Sequence, residues 1–261
     1  MQRRDFMTRS LAASTLALSP AAFAAAPPAD GRQFYELRKY TLSSGPHMGK
    51  VTDNYVSEAL IPALAKLGIG PVGAFRLDYG NETPTLYLLL PSSTAAALIG
   101  LDARLGQDAE YVKAAAEFNG GSTEQPAFHR VDSSLLWAFE GFPKLHVPAK
   151  QTRIFQLRTY ESPTHDAHLR KVEMFHKGEF EIFRQSGCES VFYSQTLIGP
   201  RMPSLTYMLS FKNLAALETG WDAFRANPAW KKLSSEPRYS TDTLVSNVTN
   251  LVLSPAPYSQ I

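Results

Sequence analysis

The sequence predicts an α+β fold. It is built of two tandem ferredoxin-like repeats, each strand–helix–strand–strand–helix–strand (βαββαβ), joined into one α/β barrel inside a single chain. Three observations predict this. Phe34-Tyr35-Glu36-Leu37-Arg38-Lys39-Tyr40 returns 120 residues later as Ile154-Phe155-Gln156-Leu157-Arg158-Thr159-Tyr160. Further pairs keep nearly the same offset: Lys50-Val51 with Lys171-Val172, Leu67-Gly68 with Ser186-Gly187, Pro84 with Pro203, and Asp102-Ala103 with Asp222-Ala223. Self-similarity at a fixed offset marks a duplicated folding unit. Finally, two helices cover one face of a four-stranded sheet, and the other face needs a partner, for which a second sheet in the chain is nearest.

The elements follow in order. Gln33 to Leu42 alternates as a strand. Met48 to Leu67 reads as a helix with Leu60, Ile61, Leu64 and Leu67 on one stripe; Pro62 predicts a kink or split, and Gly68 a C-terminal cap. Strands at Val72–Tyr79 and Leu86–Leu90 flank a turn at Gly80-Asn81-Glu82. Ser93 to Phe118 reads as one or two helices broken near Gly106, and Phe128 to Phe139 as the closing strand. The first repeat therefore spans 33–139, a Gly- and Pro-bearing linker 140–152, and the second repeat 153–254. The second repeat reads as strand 153–160, helix 167–185, strands 190–197 and 204–211, helices 213–226 and 228–235, and a last strand 243–253. Residues 254–261 read as a tail.

Residues 1–24 read as a cleaved export signal. Arg3-Arg4-Asp5-Phe6-Met7 is a twin-arginine pattern before a weakly apolar run, and Ala22-Phe23-Ala24 fits a cleavage site. The expected location is periplasmic. The run is too short and polar to span a bilayer comfortably. Removing it takes three basic residues and one acidic residue and leaves 23 of each. No basic stripe remains, so neither nucleic acid nor anionic lipid is an expected partner. The remaining chain carries no further long apolar span. Cys188 is the only cysteine, so no internal disulfide forms.

Successive side chains on a strand point to opposite faces. The apolar pairs Tyr35/Leu37 and Phe155/Leu157 suit the helix-covered side. Glu36, Arg38 and Tyr40, with Gln156, Arg158 and Tyr160, would then point into the barrel. A buried arginine needs an acceptor. One reading is a structural layer of ion pairs. The other is a cavity in which Arg38 and Arg158 hold an anionic or carbonyl-containing ligand that Tyr40 and Tyr160 orient. His168, equivalent to His47, joins this set. His165, His168, Glu173 and His176 form a loose cluster without recognised metal spacing, so no metal is expected. No cofactor is expected either; the chain lacks Cys-x-x-Cys-His for covalent haem. Gly-x-Ser-x-Gly and the phosphate-binding loop are absent too, and the glycine-rich stretch that begins Gly68-Ile69-Gly70-Pro71 follows a helix, so it reads as a turn and not as a dinucleotide-binding loop.

The heptad at 154–160, and above all Trp221-Asp222-Ala223-Phe224-Arg225-Ala226-Asn227-Pro228-Ala229-Trp230, resemble the NIPSNAP family. In that segment Asn227 can cap a helix opened by Pro228. Phe183, Gly187 and Glu189 fit as well. The resemblance is strong over 153–254 and weaker over 33–138, where Leu101-Asp102-Ala103-Arg104 stands in for the tryptophan run. It implies the dimeric α/β barrel fold, here completed within one chain. Mitochondrial relatives act as interaction proteins in vesicle trafficking and quality control. The wider fold group also holds cofactor-free monooxygenases and haem proteins, so the fold alone does not choose a function.

Three functions stay open at this point. The first is a binding protein holding a small ligand. The second is a cofactor-independent oxygenase or isomerase with His168 or His176 as base. The third is a protein-interaction module, with self-association into a homo-oligomer also compatible.

Overall fold

The computed structural model describes residues 31–80 and 82–261; the expected export signal at 1–24 lies outside them, as does Asn81 of the expected turn. Eight antiparallel strands close into a barrel: β1 (Phe34–Leu42), β2 (Gly73–Leu77), β3 (Thr85–Ser92), β4 (Phe128–Ala138), β5 (Ile154–Glu161), β6 (Glu189–Ile198), β7 (Ser204–Phe211) and β8 (Asn247–Pro255). Their order around the barrel is β1-β3-β2-β8-β5-β7-β6-β4. Each repeat contributes one four-stranded sheet in the order of the split βαβ plan. The sheets join edge to edge where β2 pairs with β8 and β4 with β6. Closure leaves no unpaired sheet edge.

In the first repeat the long helix is split, as Pro62 predicts. It comprises α1 (Pro46–Asn54), a π-helical turn Tyr55–Leu60, and α2 (Ile61–Lys66). Pro62 has no N–H to give to the helical ladder, and it falls at the start of α2, directly after the π-helical turn. The second repeat has the same interruption without a proline. There α6 (His165–Met174) passes through a π-helical turn Phe175–Glu179 into α7 (Phe180–Gln185). The widening therefore belongs to the duplicated unit and not to Pro62 alone. Both helices end on a left-handed glycine at equivalent places, Gly68 (φ 70°) and Gly187 (φ 74°).

The second helix layer of the first repeat is broken into α3 (Leu101–Leu105), α4 (Ala109–Ala114) and α5 (Ala116–Asn119). That of the second repeat is α8 (Leu214–Ala226) and α9 (Pro228–Ser234). Asn227 caps α9, its side chain accepting from the Ala229 and Trp230 amides, with Pro228 at the first position. The last strand starts later than the pattern suggests. Thr241–Leu244 forms a short helix, α10, and β8 begins at Asn247. Among the described residues no helix is long and apolar enough to cross a membrane.

The strand faces are the reverse of the expected arrangement. Tyr35, Phe155 and Leu157 point into the barrel, where they pack with Phe75, Phe192 and Met208. Tyr40 lies instead in the core between the first sheet and its helices, and Tyr160 packs on the corresponding core of the second repeat. The physical reason is that an eight-stranded barrel has an interior just wide enough to be filled by side chains. Both faces of β1 and β5 are thus buried, and alternation alone does not say which one is inside.

Candidate functional site

Arg38 and Arg158 therefore do not meet in one cavity. Each lies under the helix layer of its own repeat, and their surroundings differ.

Arg38 is buried and neutralised. Its Nε donates to Glu36 Oε1 at 2.5 Å and its Nη2 to Glu36 Oε2 at 3.2 Å. Asp102, carried by α3, accepts from Nη1 at 2.8 Å. Glu36 also accepts from Ser133 Oγ at 2.8 Å. Burial, the largest influence, works against the Arg38 charge. The hydrogen bonds that Arg38 donates to Glu36, then the fields of Tyr40, Glu36 and Asp102, outweigh it and raise the pKa.

Beside this ion cluster a pocket of about 580 Å³ opens between sheet and helices. Its walls include Tyr40 from β1, Tyr55 from the π-helical turn, Tyr111 from α4 and Phe128 from β4, with Asp102 at the edge. The Tyr55 and Tyr111 hydroxyls are 3.2 Å apart. Tyr55 stacks on Phe118 with ring centroids 3.9 Å apart, and Tyr40 meets Phe118 and Phe128 edge-on. Burial pushes the Tyr40 and Tyr55 pKa values up; at Tyr40 the Arg38 charge opposes the shift. Both phenols are protonated at neutral pH and able to donate hydrogen bonds.

In the second repeat Glu36 is replaced by Gln156, and Asp222 pairs with Arg225 at 2.6 Å. Arg158 is left without a carboxylate partner, and its Nε is buried without an acceptor. Its guanidinium lies 4.4 Å from the Trp221 ring centroid and 5.3 Å from that of Tyr160. Trp221 is held there by donating from Nε1 to Gln156 Oε1 at 2.7 Å, and Gln156 Nε2 donates to Asn250 at 2.9 Å. The Tyr160 and Tyr207 hydroxyls are 2.7 Å apart. Behind them Lys171 of α6 donates to Glu179, the last residue of the π-helical turn, at 2.5 Å, and both are buried. Burial raises the Glu179 pKa, against the opposing fields of Lys171 and Arg158.

Residues 155–260 match the NIPSNAP family model. The second repeat is a NIPSNAP domain. No curated protein is significantly similar to the chain in sequence. Among solved structures, a "putative monooxygenase" from Lactobacillus acidophilus NCFM is similar over 86% of this chain and 94% of its own, with 12% identity and a TM-score of 0.58. One of the same description from Fusobacterium nucleatum covers 86% and 93%, with 10% identity and a TM-score of 0.59. An anthrone oxidase-like protein covers 86% and 92%, with 9% identity and a TM-score of 0.53. At these identities they establish the fold alone, an α/β barrel of the dimeric type closed within one chain.

In the NIPSNAP domain the tryptophan run packs against the core of the second repeat. Trp221 and Trp230 both pack on Phe224, at 5.3 and 4.6 Å. The residue equivalent to Trp221 is Leu101, which fills less volume than an indole. The histidines stand apart from both arginines. His168 is buried on α6, its pKa lowered by burial, with Gln195 of β6 opposing. Across the sheet Gln195 pairs with Leu205, and Leu205 with Tyr160, so the Gln195 that His168 faces is two strands from Tyr160. His176 accepts from the Gly141 amide at Nε2 (3.1 Å), and its Nδ1 lies 2.8 Å from the Val172 carbonyl. Both ring nitrogens are engaged. Glu173 accepts from Arg238 and Tyr239. Among the described residues no group of three or more His, Cys, Asp and Glu is placed to hold a metal ion.

The structure thus brings Arg38 together with Tyr40, and Arg158 with Tyr160, but not the two pairs with each other or with His168. Tyr55 and Tyr111 were not legible as site residues. The only trace is that two helix positions facing the core carry hydroxyls where leucine would serve the packing.

Proposed function

We propose that the protein binds a small, planar, carbonyl-containing ligand in the first-repeat pocket. The observation that carries this is the convergence of Tyr40, Tyr55 and Tyr111 on one pocket of about 580 Å³. A cavity of this size suits a small organic molecule. Aromatic walls favour a flat ligand, and protonated phenols donate to a carbonyl oxygen. Because Arg38 is already saturated by Glu36 and Asp102, a neutral carbonyl compound fits better than an anion. The shared fold with an anthrone oxidase-like protein is compatible with this ligand class. Binding is favoured over turnover: Asp102 is the one carboxylate lining the pocket, Arg38 holds it, and neither His168 nor His176 reaches it.

Titration with 1,4-naphthoquinone and anthrone, followed by tyrosine fluorescence and thermal shift, tests the proposal. Saturable binding weakened about tenfold by Tyr111→Phe is expected, equivalent to one lost hydrogen bond of about 1.4 kcal/mol. Absence of binding by both probes, or affinities untouched by Tyr40→Phe and Tyr111→Phe together, rejects it. Oxygen uptake in the same mixtures separates a binder from an oxygenase.

The proposal includes export by the twin-arginine route with cleavage near Ala24. Fractionation of cells expressing the full chain, with Arg3→Lys/Arg4→Lys as control, tests that part. Recovery of the uncleaved chain in the cytoplasm in both cases would reject it.

A further inference from the structure

The barrel interior is filled at one end and open at the other. At the filled end Tyr35, Phe75, Phe155 and Phe192 are fully buried, and Ile261 of the C-terminal tail packs among them. At the other end the inward positions carry short side chains, among them Ser134, Thr159, Thr196, Thr206 and Thr249. A pocket of about 660 Å³ results, walled by both repeats. It lies on the opposite face of β1 from Arg38 and Tyr40.

The pocket is amphiphilic in layers. Its floor is Leu37, Leu77, Leu157 and Leu251. Above the floor the wall hydroxyls satisfy one another: Thr159 and Thr206 are 2.9 Å apart, and Ser204 donates to Thr196 at 2.9 Å. At the mouth, Lys39 of β1 and Arg130 of β4 converge on a single carboxylate, that of Glu82, which the β2–β3 connection carries. Arg130 reaches Glu82 at 3.1 Å. A third cation, Arg201, donates to Thr249 at 2.9 Å and lies 3.7 Å from Glu161. Arg201 adopts a left-handed backbone (φ 63°), the one non-glycine among the described residues to do so. Such a conformation persists where surrounding contacts impose it, and it is enriched at ligand sites.

We propose that this open end of the barrel binds a small amphiphilic monocarboxylate, and that Glu82 occupies the seat of the ligand's carboxylate when the pocket is empty. The seat is demonstrated by Glu82 itself, since one carboxylate there engages two cations from different strands. Its side chain is 41% exposed and attached to a turn, so it can swing outward. The charge count agrees. Lys39, Arg130 and Arg201 face Glu82, Asp132 and Glu161; with Glu82 displaced, one positive charge is left over, which a single carboxylate neutralises. The apolar tail then lies on the four leucines, where burial supplies the affinity and the cations supply orientation.

The test is calorimetric titration of the full chain with octanoate, using 1-octanol as the uncharged comparison. Saturable octanoate binding is expected, at least tenfold tighter in Glu82→Gln, where the internal competitor has lost its charge. Lys39→Met in that background should weaken it at least tenfold while leaving octanol unaffected. Arg130→Met, at a more exposed position, replaces Lys39→Met if the latter loses its cooperative melt. The proposal is overturned if neither the native protein nor Glu82→Gln binds octanoate, if both bind it equally, or if removing the cation changes nothing. Tyr111→Phe should leave octanoate binding intact. A loss there would assign the probe to the tyrosine pocket and likewise overturn the proposal.

Discussion

Asp102 closes on Arg38 at 2.8 Å, whereas its equivalent in the second repeat, Asp222, turns to Arg225 and leaves Arg158 to the face of Trp221. The two repeats thus accommodate the equivalent arginine in two different ways. The first is ionic, with a pocket beside it; the second is aromatic.

The ionic solution depends on Glu36 more than on Asp102. Glu36 is buried and makes two bonds to Arg38, while Asp102 is 76% exposed at its side chain. Glu36→Gln leaves a buried guanidinium short of charge and should cost about 3 kcal/mol. Asp102→Asn should cost less than about 1 kcal/mol, because an exposed partner is screened. Urea unfolding of both variants measures this, and an equal or reversed order contradicts it.

The aromatic solution predicts that Trp221→Leu, which imports the first-repeat residue, destabilises by about 3 kcal/mol. The variant loses the stacked cation, the bond to Gln156 and the packing on Phe224. The reciprocal change Leu101→Trp adds bulk to a fully buried position next to Asp102, which lines the pocket. It should weaken naphthoquinone binding at least tenfold while the protein still unfolds cooperatively. Unchanged affinity would show that Leu101 does not bound the pocket.

These differences mark how far the sequence could be read. The repeat offset, Gly68 and Gly187, and the Asn227-Pro228 cap all announce themselves, because each needs a particular residue at a particular place. The direction of Arg38 does not. Tyr35 and Leu37 look like residues for the helix-covered side, yet they fill the lumen, since a closed barrel buries both faces of each strand. The partners of Arg158 were also hidden. Nothing in Gln156 or Asp222 alone says that Trp221 will take the carboxylate's place, because that contact spans 63 residues of sequence.

The Lys171–Glu179 pair should behave as an enclosed unit. Lys171→Met leaves Glu179 buried and alone, and should cost about 3–5 kcal/mol at pH 8. Burial raises the Glu179 pKa, so the folded protein holds a proton at a pH where the unfolded chain has released it. Stability is then lost as pH rises through that interval. The Lys171→Met penalty should therefore shrink as the pH is lowered toward 5. The double variant Lys171→Met/Glu179→Leu should recover most of the loss. Denaturant titration at both pH values decides the matter, and a penalty that grows on acidification runs against it.

His168 gives the opposite slope. Its folded pKa is lowered from 6.5 by burial, and its Nδ1 is buried without a partner. Below about pH 6.5 the unfolded chain takes up a proton that the folded protein resists, so the unfolded state gains and stability falls as pH drops. Above that value the neutral imidazole contributes its full packing. Replacing it with glutamine removes the titration but keeps a polar group facing Gln195. Native protein should thus lose more stability between pH 7.5 and 5.5 than His168→Gln does, in urea unfolding at matched ionic strength. Parallel slopes for the two proteins would mean that His168 takes up its proton as readily folded as unfolded, and that the buried site on α6 opens to water.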